Sequence, residues 1–104
     1  LGQVTGAPPR DLSIIRIEGD SMAPTLNDGD DIMVDHGAAT RRIQDGIHVL
    51  RRDDTLLVKR ITVNPVTAKL TIASDNPAYA SWQDCDPGEI DLVGRVVWAG
   101  RRVR

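Results

Sequence analysis

Residues 47–63, "IHVLRRDDTLLVKRITV", decide how the chain reads. Two β-branched and leucine-rich runs, 47–51 and 55–63, flank Arg52-Asp53-Asp54, the pattern of a tight β-hairpin. Side chains alternate between the two faces of a strand, so Leu57, Lys59, Ile61 and Val63 share one face and Arg60 and Thr62 the other. A lysine therefore stands on the apolar side of the hairpin. Burial disfavours its charged form and lowers its pKa, and a neutral amine is a base.

Shorter strands extend on both sides. Residues 12–18 (LSIIRIE), 31–35 (DIMVD), 69–73 (KLTIA) and 90–98 (IDLVGRVVW) alternate or run apolar, with Gly94 expected as a bulge or a point of close approach. "HGAATRR", the Asn64-Pro65 turn, "SDNPAY" and a loop with Trp82 and Gly88 break the pattern. Six or seven short strands with little helix predict a mostly-β domain. At 104 residues the chain fits one such domain, with 1–10 a linker remnant of a longer polypeptide and 11–104 the folded unit. The sequence contains no Phe and three aromatics, so the core is built from Ile, Val and Leu.

Charge and cysteine content exclude several classes. Thirteen basic against 15 acidic residues, a net charge of −2, argue against nucleic-acid binding by overall charge. The pairs Arg41-Arg42 and Arg51-Arg52 and the tail Arg101, Arg102 and Arg104 read as a solvated rim. Cys85 is the single cysteine and lies among acids, so it serves as a small structural or surface residue, and the cytoplasm is the expected location. No apolar run is long enough to span a bilayer, and no cofactor or metal is implied.

The second informative stretch is "EGDSMAPTL", 18–26. Gly19 permits a sharp turn, and "SMAPTL" can begin one helical turn with Ser21 near its start, leaving free N–H groups beside the hydroxyl. A serine needs an adjacent base to become a nucleophile, and a deprotonated lysine is one known partner. Ser21 and Lys59 are the candidate pair; His36, in a Gly-rich loop, and His48, after a polar strand start, compete poorly. The residues alone leave equal room for Ser21 as a turn cap and Lys59 as a side chain reaching outward from a strand edge.

"EGDSMAPTLNDGDDIMVD", "DGIHVLRRDDTLLVKRI", "SDNPAY" and "LVGRVVWAGRR" resemble, in that order, the C-terminal domain of LexA, UmuD and lambda-type phage repressors, the serine-lysine self-cleaving peptidases. The resemblance runs from about Asp11 onward. It implies a LexA-like β fold, Ser21 as nucleophile, Lys59 as general base, and backbone N–H groups at Ser21 and Asp20 as oxyanion donors. It also implies a homodimer, DNA bound through an upstream helix-turn-helix domain, an inducing protein, and no membrane. Such proteins cut their own chain at an Ala-Gly or Cys-Gly bond upstream of the serine. Here neither pair precedes Ser21, and Ala99-Gly100 belongs to the last strand. A non-catalytic dimerisation module that retains the dyad is the alternative. Signal peptidases share a similar serine loop but need a membrane anchor, which is not seen here. For assembly, Val93, Val97 and Trp98 on a terminal strand predict an exposed edge that a second chain covers, with part of residues 92–102 in the contact; the competing expectation folds Val96 and Trp98 into the domain's own core.

Overall fold

The computed structural model describes residues 11–101; the expected linker at 1–10, Arg102 and Arg104 lie outside them. Seven strands form one antiparallel sheet: β1 (Leu12–Arg16), β2 (Asp31–Asp35), β3 (Gly46–Arg52), β4 (Thr55–Val63), β5 (Leu70–Ala73), β6 (Trp82–Cys85) and β7 (Asp91–Gly100). Their spatial order is β1-β2-β7-β3-β4-β5-β6. Short 3-10 turns at His36–Thr40 and Pro87–Glu89 are the helical elements among the described residues. This is the mostly-β architecture expected from the strand pattern, and it is consistent with the LexA-like fold that the resemblance implied.

The β3–β4 hairpin forms as read, with Arg52 opposite Thr55 and Asp53 at φ 55° in the turn between them. Two readings need correction. "WQDC", expected within a loop, is β6: Leu70 pairs with Cys85 and Ile72 with Trp82 across an irregular register. Its sequence lacks alternation because the segment is an edge strand with exposed polar residues, held by β5 alone. The second correction concerns β7, which is an interior strand paired with β2 on one side and β3 on the other. The two ladders overlap only at Arg95: 95–100 pair with β2 and 91–95 with β3, so each half of β7 has a ladder partner on one side alone. Val96 packs against the core as the second expectation held, and so does Val93, which the first had placed at the edge, whereas Trp98 remains 52% exposed.

Register shifts at Met33/Val34, Val49/Leu50 and Leu70/Ile72 bend the sheet. Both faces carry a core. Val49 joins Ile17, Met22, Leu26, Ile32 and Val34 on one side, and the next residue, Leu50, joins Ile61, Leu70 and Ile72 on the other. Successive side chains of a strand point in opposite directions, so β3 is the partition between the two clusters. No helix among the described residues is long and apolar enough to cross a membrane.

Gly94 sits where β2 comes close to β7: a Cβ there would lie 2.6 Å from Val34 Cγ1 and 2.7 Å from the Asp35 carbonyl oxygen. The latter is backbone inside a ladder and has no room to yield. Gly94→Ala is expected to destabilise the domain by about 1–3 kcal/mol, the usual cost of overpacking. Gly88→Ala, whose new methyl would meet Asp86 Oδ1 at 3.4 Å, serves as the control. Urea denaturation with equal midpoints for the two variants would refute the assignment.

Candidate active site

The residues that follow β1 leave the sheet as a loop pinned at both ends. Ile17 N–H donates to the Asp30 carbonyl at 2.8 Å, and Gly29 N–H to the Ile17 carbonyl at 2.9 Å. Gly19 takes φ 85°, the left-handed conformation glycine adopts without strain, and its N–H donates to Asp28 Oδ1 at 2.8 Å. One hydrogen-bonded turn follows, from Ala23 N–H to the Asp20 carbonyl and from Leu26 N–H to the Met22 carbonyl. Met22 and Leu26 point into the core, which leaves Ser21 half-buried on the rim of a cavity.

That cavity measures about 440 Å³ and has Ser21 and Lys59 in its wall, together with Ile17, Met22, Val58 and Leu57. Lys59 is 7% exposed on the apolar face expected of it, beside Ile61. Burial lowers the pKa of its amine below the ordinary lysine value. The Tyr79 and Trp82 rings stand 5.9 and 5.6 Å from Nζ, a cation–π distance that offsets part of the cost while the amine is charged.

The hydrogen bond that Lys59 makes is to a residue the sequence reading did not single out. Nζ donates to Ser74 Oγ at 2.7 Å. The cause is register: β4 and β5 pair Arg60 with Ala73, so the residue after Ala73 arrives beside Lys59. Ser74 opens the segment "SDNPAY", read from sequence only as a strand breaker and part of the resemblance. In the fold this segment holds the serine loop. Asn76 N–H donates to the Ser21 carbonyl at 3.0 Å, and Asn76 Nδ2 to the Asp20 carbonyl at 3.0 Å. Tyr79 Oη donates to Asp20 Oδ1 at 2.6 Å, and the Asp20 carboxylate beside it raises the phenol's pKa. Asp75 N–H approaches Met22 Sδ at 3.4 Å.

Arg60 anchors the segment from β4. Its Nε and Nη2 donate to the two Asp75 oxygens at 2.7 and 2.8 Å, a bidentate pair that holds the Asp75 carboxyl below its usual range. Lys59 and Arg60, adjacent on β4, thus face opposite ways and are both fastened to one loop. Polar residues clustered directly after a strand were the available signal; which strand they would meet was not in the sequence.

Neither histidine lines this cavity, although His48 stands opposite Lys59 in the β3–β4 ladder. His36 Nε2 contacts Ser13 Oγ. His48 is 1% exposed on β3, its Nδ1 against the Gly46 carbonyl at 3.0 Å. Cys85 is a free thiol packed against the second core cluster, in keeping with a structural role. No group of residues suited to holding a metal occurs among the described residues.

A family model described as Peptidase S24-like matches residues 1–97. Over 94 residues the chain is 39% identical to the 26 kDa repressor protein of Escherichia phage HK022, an alignment that covers 88% of this chain and 39% of that protein. Over 81 residues it is 31% identical to repressor protein CI of Enterobacteria phage phi80, covering 77% of this chain and 33% of that one. The chain spans well under half the length of the curated relatives it matches.

The burial of Lys59 has a measurable linkage. Its folded pKa is depressed, so between that value and the unfolded value near 10.5 the unfolded chain binds more protons, and stability rises with pH across that window. Lys59→Met removes the penalty of burying the charge. The variant is expected to be more stable at neutral pH by on the order of 1 kcal/mol, with the gain shrinking as pH climbs through the folded pKa. Chemical denaturation at a series of pH values checks it; a gain independent of pH would show that the amine is not desolvated.

Proposed function

The chain belongs to the Peptidase S24-like family, and on that premise we propose that it is the regulatory domain of a phage-repressor-like transcriptional regulator, carrying a Ser21–Lys59 dyad that cuts an upstream linker of its own polypeptide. The observation that carries this reading is that buried Lys59, its pKa lowered and its amine donating to Ser74, shares with Ser21 the wall of one cavity.

The chemistry follows from that placement. Neutral Lys59 accepts the Ser21 hydroxyl proton as Oγ attacks a peptide carbonyl carbon. Charge builds on the carbonyl oxygen, where backbone N–H groups at Ser21 and Asp20 are the donors we assign. As the intermediate collapses, the C–N bond breaks and the Lys59 ammonium returns its proton to the departing amine. Water then hydrolyses the acyl-serine, with Lys59 again as base. Ser74 accepts one hydrogen bond from Nζ throughout and so keeps the amine from swinging away. Ala99-Gly100, the single Ala-Gly pair of the chain, lies in β7 opposite Ile32 and Asp31, where ladder hydrogen bonds withhold it from attack. The scissile bond is therefore assigned to the polypeptide outside the described residues.

For assembly we propose a homodimer, with DNA engaged through a separate domain of the full polypeptide. The support comes from a face of the sheet. Ile14 pairs with Met33 and Met33 with Trp98, so three apolar side chains form a row across β1, β2 and β7, and Ile14 and Trp98 are exposed. A second copy laid on this row by a two-fold axis buries both rows at once.

Two outcomes are expected. The full polypeptide that carries this domain is cleaved slowly at neutral pH and faster as pH rises and Lys59 loses its proton; Ser21→Ala and Lys59→Ala abolish cleavage in a gel time course. Equal cleavage in wild type and variants excludes the dyad, and no cleavage in any form leaves the dimerisation module alone. In sedimentation at micromolar concentration the domain runs as a dimer, and Trp98→Ala weakens association at least about tenfold, as loss of a buried aromatic contact does. A monomer at high micromolar concentration overturns the assembly.

A further inference from the structure

A second cavity, of about 360 Å³, opens between the 3-10 turn 36–40, the segment that follows it, and β7. Arg41, Arg42, Gln44, His48 and Arg95 stand in its wall with one acid, Asp35. It shares no lining residue with the cavity of Ser21 and Lys59.

The cations outnumber their partners. Asp35 is already engaged: Oδ2 accepts from Arg41 Nη2 at 2.6 Å, and Oδ1 from Gly37 N–H at 2.9 Å. Asp45, next to the cavity, turns its carboxylate to Val63 N–H at 2.8 Å and offers only its backbone carbonyl, which accepts from Arg95 Nη2 at 3.0 Å. Arg95 therefore has no carboxylate partner among the described residues. Its Nε is buried and donates to nothing described. The guanidinium lies against Gly46, where a Cβ would sit 3.0 Å from both Nε and Nη2 and displace it. Arg42, beside it on the rim, is exposed and likewise unpaired by any described carboxylate.

A half-buried guanidinium with an orphaned N–H is costly, and the planar fork of an arginine matches the oxygens of a phosphate group. We infer that this cavity binds a phosphate group, held by Arg95 and Arg42 with His48 at its inner wall. The ligand is recognised by its dianionic head, which supplies both the acceptor that Arg95 Nε lacks and a counter-charge for Arg95 and Arg42, since Asp35 is taken by Arg41. His48 reports occupancy. It is faced by Arg95 from β7, by Lys59 across the β3–β4 ladder, and by Asp35 and Arg41 at the cavity. Burial, with Arg95 adding to it, lowers the imidazole's pKa, and a bound dianion opposes both effects.

The test is titration of the domain with inorganic phosphate at constant ionic strength, chloride as reference, followed by NMR of the arginine Nε–H and histidine ring signals. Arg95 and His48 signals are expected to saturate with one midpoint, and the His48 titration to move to higher pH in phosphate. Arg95→Gln and Arg42→Gln each raise the midpoint about tenfold or more, as loss of a charge-assisted contact does, whereas Arg52→Gln leaves it unchanged. Should Arg95→Gln fail to fold, the exposed Arg42 carries the comparison. A nucleoside monophosphate forms the second arm: a midpoint equal to that of inorganic phosphate assigns recognition to the phosphate alone, and a lower one extends it to the bearer. Shifts that do not saturate, or that are the same in Arg42→Gln and wild type, overturn the proposal.

Discussion

The bidentate pair between Arg60 and Asp75 ties the loop after β5 to β4, and that loop makes the hydrogen bonds that link the Lys59 side of the cavity to the serine loop. From its first residue it receives the Lys59 hydrogen bond at Ser74. From Asn76 and Tyr79 it holds the backbone and side chain of Asp20 and the carbonyl of Ser21. The serine loop and β4 are far apart in sequence and belong to different ends of the sheet. The first core, where Met22 and Leu26 meet Val49 and Val58, brings the two near each other, and the loop adds the polar contacts that orient them. A charge-assisted pair with two parallel hydrogen bonds fixes orientation as well as distance, which a single contact does not.

The sheet order supplies the second condition. β7, last in the chain, inserts between β2 and β3 and so joins the N-terminal hairpin to the central one. Gly94 is where that insertion brings β7 close to β2. β7 pairs with β3 over its first half and with β2 over its second, and its apolar residues are sorted by face: Val93 and Val96 pack inward while Trp98 stands outward in line with Met33 and Ile14. The same insertion sets Arg95 opposite both Asp35 and His48 and so creates the cationic cavity. One topological feature thus organises the first core, the exposed apolar row and the second cavity.

Much of this was legible in the sequence. Period-two alternation exposed the strands and set Lys59 on the apolar face, because side-chain direction in a strand is a local property. Gly19 and Gly94 were marked as special positions and proved to be, one by a left-handed backbone and the other by close approach. Ser21 was recognisable from its turn and from the resemblance of the surrounding motif. β6 was missed because an edge strand with exposed side chains shows no alternation.

By itself, then, the sequence determined the class of fold, the hairpin, and the two side chains that face the first cavity. Tertiary structure alone decided which strand became β7's neighbour, that Ser74 would meet Lys59, and that Arg95 would have no carboxylate partner among the described residues. The physical reason is that strand periodicity is written residue by residue, whereas register between strands distant in sequence is settled by the summed packing of both cores, and a one-residue slip would reverse every face.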